Sequence, residues 1–404
     1  MLNRAFLKAG HTPTLFCAFF YFDMAFMVWA LLGPLGVQLA RTLHLDPSQK
    51  GLMVALPILS GALLRVVFGV LVDRLKPRLT GIIGQCIVLA TLIGTWLIGI
   101  HSYGQVLGLG VLLGVAGASF AVALPLASRW YPPEHQGVVL GIAGAGNSGT
   151  VLAALFAPLL AKHFGIAPVF GFAAIPVAIA FVTYITLARN APSQPPPKTW
   201  AEYLHVLHDR DAWWFMLFYA VTFGGFSGLA SSLTIYFNSE YGLSAVTAGY
   251  CTAACVFAGS MVRPVGGALA DRLGGIRALS IMYMIAAAAL IIVSTRLPLF
   301  WMSLAVFVVA MLAFGMGNGA VFQLVPQRFR REIGVMTGLV GMTGGVGGFF
   351  LASSLGVARQ HTGAYGPGFL IFAGLALVAL VGLTTVKSRW RTTWGAVGAG
   401  AARI

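Results

Sequence analysis

The sequence predicts an all-α membrane protein, with twelve spanning helices in two pseudo-symmetric halves of six. Three observations predict it. The 404 residues are 58% apolar and only 9% charged, where a soluble domain carries about 25% charged residues. Mean hydropathy is +0.88, and the apolar residues fall into twelve stretches long enough to cross ~30 Å of hydrocarbon. The pattern of one half returns in the other. A soluble enzyme, a secreted disulfide scaffold and a disordered chain are excluded at this step.

The stretches run at about 14–36, 51–73, 80–100, 105–128, 137–161 and 167–188 in the first half. Arg4 and Lys8 precede the first one in the manner of a signal peptide. The apolar run continues through Gly36 without a small-residue cleavage pattern, so a retained helix is expected. The longest polar connection follows, 189–211, with Pro192, Pro195, Pro196 and Pro197. Proline at this density is incompatible with a buried helix and suits a cytoplasmic linker. The second half holds stretches at about 212–237, 244–270, 276–294, 300–325, 334–356 and 367–386. The expected organisation is therefore a first half over 1–188, a linker over 189–211, a second half over 212–388 and a mobile tail over 389–404.

Formal charge is +15, which invites a nucleic-acid reading, but position argues otherwise. With the amino terminus in the cytoplasm, 18 of the 25 Lys and Arg fall in inner connections and tails and 5 in outer ones. This is the asymmetry of a protein of a cell inner membrane with both termini cytoplasmic. The expected surroundings are lipid, with no nucleic acid, and the chain is expected to act as a monomer. The four cysteines (Cys17, Cys86, Cys251, Cys255) lie in apolar stretches and read as small hydrophobes. No metal-type spacing occurs, and no cofactor is called for.

Two internal echoes fix the repeat. Arg65-Val-Val-Phe-Gly69-Val-Leu-Val-Asp73-Arg74 returns 198 residues later as Arg263-Pro-Val-Gly-Gly267-Ala-Leu-Ala-Asp271-Arg272. Gly137, Gly141 and Gly144 return as Gly334, Gly338 and Gly341. Two parallel six-helix halves suit a rocking secondary transporter with substrate near the midplane. The Gly69-x-x-x-Asp73-Arg74-x-x-x-Arg78 run resembles the loop motif of the major facilitator superfamily. Asp73, Arg74, Asp271 and Arg272 are then gating candidates, with a plain helix-end charge cluster as the alternative.

Intramembrane charge is the sharpest signal. Arg65 and Arg263 each lie eight residues before the helix-end aspartate, about 12 Å deep. Each costs about 2.5–3.5 kcal/mol there on insertion scales, and arginine keeps its proton. Nine of the ten acids lie at helix ends or in loops; only Asp23 is deep. One carboxylate cannot balance two guanidinium groups, so a small anionic substrate is expected between them. The alternative bonds both arginines to Asp23 and to backbone carbonyls as scaffold. None of the eight histidines lies deep in a helix, so Asp23 is the candidate for proton coupling, unless it is permanently paired with an arginine.

The glycine-rich run through Gly141, Gly144, Gly146, Asn147, Ser148 and Gly149 has a partner in Gly334, Gly338, Gly341, Gly344, Gly345 and Gly348. Alone, such stripes signal close helix packing. Together with the two arginines they resemble the paired signatures of the nitrate/nitrite porter family over nearly the whole chain. The resemblance implies secondary active import of nitrate, and also nitrite, coupled to protons by alternating access. Nitrate/nitrite exchange without protons, or carriage of another small monoanion, are the alternatives. It also implies a planar oxyanion held by Arg65 and Arg263 and flanked by Phe120, Tyr219 and Phe223, with Asn147 as a polar contact. Asn318 is assigned to the same cleft and Gln323 is left open. Nothing in the pattern suggests an enzyme: a nucleophile–base pair and a metal cluster are both missing.

Overall fold

The computed structural model describes residues 9–132, 136–193, 201, 205–329 and 333–393. Residues 194–200 and 202–204 of the proline-rich linker, the chain ends and the acids Glu134, Glu202 and Glu332 lie outside the described residues. Within them, twelve helices have the length and apolar character to cross a bilayer. The first half contributes α1 (Thr12–Trp29), α2 (Pro47–Leu75), α3 (Pro77–Ile98), α4 (Tyr103–Ser128), α5 (Val139–Phe164) and α6 (Ile166–Leu187). The second contributes α7 (Arg210–Tyr241), α8 (Ala245–Leu273), α9 (Gly275–Ser294), α10 (Phe300–Arg328), α11 (Gly334–Thr362) and α12 (Gly366–Thr392).

Local chemistry explains where helices start and stop. Asp46 caps α2 by accepting from the Gln49 N–H at 2.8 Å, while the Gln49 side chain accepts from the Asp46 N–H. Ser102 and Gln105 form the same reciprocal pair at the start of α4. Gly242 ends α7 at a φ of +65°, a conformation glycine adopts without penalty. Two sequence expectations need correction. The first span ends at Trp29 rather than continuing to Gly36; turns through Leu35 lead into a short helix, Gly36–Thr42. Pro34 lacks the N–H that a continued helix needs. Residues 389–392, expected in the mobile tail, complete α12. There Trp390 is fully buried and donates to Asp211 Oδ1 at 2.8 Å. Arg389 pairs with the same carboxylate, and Arg328 holds Asp211 Oδ2 at 2.8 Å and Asp209 at 2.5 Å. Asp211 thus ties the start of α7 to the ends of α10 and α12, which a linker residue could not do.

The halves meet along α2–α11 and α5–α8, the two seams that the internal repeat relates. At the end opposite Asp73 the two backbones touch directly. A Cβ placed on Gly51 would sit 2.8 Å from the Gly356 Cα, and one on Gly249 2.7 Å from the Ala154 carbonyl oxygen. Toward the Asp73 end, which carries most of the basic residues, the glycines of the two signature runs behave differently. Gly141, Gly144 and Gly338, expected as packing positions, face open space. Gly146 packs against Phe22, Gly149 against the Asp23 backbone, Gly344 against the Tyr219 ring and Gly345 against Ala62, while Gly341 lies in ordinary van der Waals contact with Phe120 and Arg65. Each signature run is therefore a seam for part of its length and an open surface for the rest.

This contrast yields a test. Gly149→Ala pushes a methyl group into main chain that cannot rotate away, an overpacking effect of about 1–3 kcal/mol. Gly141→Ala has free space. Thermal unfolding followed by fluorescence-detected gel filtration should show a lowered midpoint for the first variant and an unchanged one for the second.

Candidate substrate site between the halves

Arg65 sits on α2 with 1% of its surface exposed. Its Nε donates to the Gly117 carbonyl at 3.1 Å, within the first half. Its Nη1 donates to the Gly341 carbonyl at 2.5 Å, across the seam on α11. Its Nη2 is buried with no partner. Four rings surround the guanidinium carbon: Phe223 at 5.0 Å, Phe120 at 5.3 Å, Trp29 at 5.8 Å and Phe26 at 6.0 Å. Each lies within the range of cation–π attraction. The backbone-carbonyl alternative is thus partly realised: two donors of Arg65 serve the scaffold and one nitrogen is left over.

Arg263 occupies the matching place where α8 bends, at Val262 between the segments Ala245–Met261 and Arg263–Leu273. It is half-buried. Its Nη2 donates to the Tyr219 hydroxyl at 3.4 Å, a long contact, and its Nη1 is buried without a partner. Phe322 lies 5.6 Å from its guanidinium carbon. Tyr219 and Phe223 link the two arginines: the Tyr219 hydroxyl accepts from Arg263, and its ring stacks on Phe223, which lies 5.0 Å from the Arg65 guanidinium carbon. No described acid forms a salt bridge with either one.

The aromatic residues form a continuous wall around this charge. Tyr219 and Phe223, four apart on α7, stack at 5.2 Å with an interplanar angle of 8°. Trp29 stacks parallel to Phe223 at 6.4 Å. Phe322 stands edge-on to Tyr219 at 5.0 Å and reaches Phe120 at 6.2 Å, so a ring from each half meets on one side of the arginines. Gly344 makes the wall possible, because a Cβ there would strike the Tyr219 ring at 2.5 Å. Phe120, Tyr219 and Phe223 are brought together as expected. Trp29, Phe26 and Phe322 are additions. A signal for Phe322 existed: it lies one helical turn after Asn318 and shares its face. Trp29 is held by its indole N–H donating to the Pro57 carbonyl at 2.7 Å, a contact that no spacing in the sequence reveals.

Asn147 and Asn318 are both buried, with Oδ1 atoms that have no partner. Asn147 stands on a 3-10 turn, Ala145–Ser148, that interrupts α5 and lies between α1 and α8. Neither amide contacts the arginines. Asp23 is 9% exposed and accepts from the Ser148 hydroxyl at 2.7 Å, so the Asp23–arginine ion pair weighed as an alternative is not formed. Gln323 is resolved as a partner of Asp271, donating to its Oδ1 at 3.0 Å. Asp73 pairs instead with Arg129 at 2.8 Å. The two helix-end carboxylates are thus held by different chemistry, a cation in the first half and an amide in the second. Arg74 and Arg272 lie beside them at the same end, as the motif places them. Among the described residues no group of three metal-ligating side chains is present.

Comparison with known proteins agrees with this architecture. The family profile described as Major Facilitator Superfamily matches residues 15–352. A protein of Mycobacterium tuberculosis named "Probable nitrate/nitrite transporter NarK2" is 34% identical over 92% of this chain and 95% of its own. The "Nitrite extrusion protein" of Bacillus subtilis is 31% identical over 88% and 89%. The "Probable nitrate/nitrite antiporter NarK1" of Thermus thermophilus is 30% identical over 89% and 88%. Among solved structures, a bacterial homologue of the lysosomal transporter Spinster superposes with a TM-score of 0.71, at 18% identity, over 94% of this chain and 97% of that one. It shares the fold. The chain is a membrane transporter rather than an enzyme, and it belongs to the major facilitator superfamily, in the nitrate/nitrite porter family.

Proposed function

We propose that this protein carries nitrate, and nitrite, across the inner membrane as a monomeric secondary transporter. One observation carries the reading: two guanidinium groups lie between the halves with a buried, unpartnered nitrogen each and no described acid to neutralise them. A charged donor left unpaired in low dielectric is strongly unfavourable, and a small anion removes the deficit. A planar oxyanion suits the donors, since a guanidinium offers parallel N–H groups to two oxygens. The stacked Tyr219 and Phe223 and the Phe120 and Phe322 edges form apolar walls that exclude water around it. Asn147 and Asn318 are held in reserve as polar contacts that complete the shell when the halves move.

The close seam at one end and the open glycine faces at the other describe a state open toward the basic end. That end is cytoplasmic by the distribution of Lys and Arg. Alternating access then requires the α2–α11 and α5–α8 seams to part where they now touch. The Arg65–Gly341 bond would break in that step, and anion binding would stand in for it. Asp73, Arg74, Asp271 and Arg272 act at the closing end.

Import is coupled to protons through Asp23. It is the one acid in the middle of the described helices, and it bears on the site through the turn that carries both Ser148 and Asn147. Proton and anion each favour the binding of the other, as linkage requires. A second reading, exchange of nitrate for nitrite without protons, is favoured by the name of the Thermus relative, an antiporter.

Both parts are testable in proteoliposomes with labelled nitrate. Arg65→Lys and Arg263→Lys each replace a fork by a point charge, a loss expected to lower transport efficiency by roughly 10- to 100-fold. Wild-type kinetics in either variant removes the ligand assignment. Asp23→Asn should retain counterflow of nitrate against nitrite and lose stimulation by an inward proton gradient. A variant still driven by the gradient, or a wild-type protein indifferent to it, leaves the exchange reading.

A further inference from the structure

At the basic end, away from the substrate cleft, α9 and α12 enclose a groove of about 320 Å³ on the outer face of the second half. Its lining is amphiphilic. Arg277, in the first turn of α9, and Lys387, near the end of α12, line it together with Ser280, Thr384 and the aliphatic Leu273, Ile276 and Ile281; the two hydroxyls donate to main-chain carbonyls of their own helices and keep their lone pairs. Neither Arg277 nor Lys387 makes a hydrogen bond or ion pair with a described residue. Other cations at the same end are engaged: Arg129 by Asp73, Arg328 by Asp209 and Asp211, Arg389 by Asp211. The carboxylate nearest along the chain, Asp271, is taken up by Gln323. The first turn of α9 adds the positive end of its helix dipole.

The groove opens onto apolar surface that continues toward the bilayer middle. Val381 on α12 is 60% exposed and Met284 on α9 50%. Two cations without a partner among the described residues, and two hydroxyls, above an apolar channel at headgroup depth, match one kind of occupant. We infer that this groove binds an anionic phospholipid, with its phosphate between Arg277 and Lys387 and its acyl chains along Val381 and Met284. A free phosphate ion would satisfy the cations but leave the apolar channel unused. A zwitterionic lipid carries its own cation and would be held more weakly. The site is independent of the transported substrate, so its failure or success leaves the nitrate reading untouched.

Native mass spectrometry of the detergent-purified protein, titrated with dioleoylphosphatidylglycerol, tests it. Each basic group near an anionic headgroup is worth about fivefold in affinity, so the double variant R277Q/K387Q should bind the lipid about 25-fold more weakly. The charge-preserving R277K/K387R should keep wild-type binding. A control removing two exposed cations elsewhere at that end, R189Q/R210Q, should also keep it. Dioleoylphosphatidylcholine should bind weakly to all four proteins, and millimolar inorganic phosphate should not displace phosphatidylglycerol. Undiminished binding in R277Q/K387Q, an equal loss in R189Q/R210Q, or displacement by inorganic phosphate overturns the assignment.

Discussion

Two arginines that cannot lose their charge, set in the middle of an apolar protein with no described acid paired to them, constrain everything around them. A guanidinium in low dielectric needs partners for its N–H groups and compensation for its charge, and these are separate demands. The fold meets the first only in part. The Gly117 and Gly341 carbonyls take two donors of Arg65. The second demand is met weakly by the π faces of Phe120, Phe223, Trp29 and Phe26. Aromatic rings attract a cation but do not neutralise it. In the reading proposed above, the residual field favours an anion over a neutral or cationic guest, and the flat, closely spaced rings favour a small and planar one.

The same arginines join the halves. Arg65 belongs to the first half and bonds the backbone of α11 in the second. That contact depends on α2 and α11 lying at backbone distance, which bare glycines permit: Gly345 faces Ala62, and Gly51 faces Gly356. Glycine stripes leave little side-chain interlocking between the surfaces they line, which fits the parting of this seam that we propose. Each stripe is asymmetric along its length. Positions near the closed end are in contact, and positions toward the basic end face open space in the state seen here.

Asp23 occupies a different niche from the one that counting charges suggests. Its partner is Ser148 rather than an arginine. The carboxylate is thereby held next to the interrupted part of α5, where Gly149 brings the two backbones together. A 3-10 turn is less strongly hydrogen-bonded than the α-helix on either side of it, and small displacements there move Ser148 and Asn147 together. Far from the cleft, charge serves as an anchor instead. Asp211 gathers Arg328, Arg389 and Trp390 and so holds three helix ends together.

Much of this was legible without coordinates. Composition and the length of the apolar stretches determined twelve spans, because the bilayer leaves few alternatives to helices of that length. The 198-residue echo determined the pairing of Arg65 with Arg263, since equivalent positions in a two-fold assembly share one depth. The shortage of buried acid followed from ten residues and their places in the chain. Breaks within spans were less visible, as at Trp29 and at Ala145–Ser148, because local hydrogen-bond geometry does not alter hydropathy. The burial of Trp390 was hidden for a similar reason: an end residue is fixed by a partner far away in the chain, Asp211. Only tertiary structure decided which rings close around each guanidinium, which carbonyls accept its hydrogen bonds, and that Asp23 answers to Ser148. Side-chain partners in a helical bundle depend on how each helix is rotated and where it bends, and those angles are set by packing among all twelve, not by any one stretch of sequence.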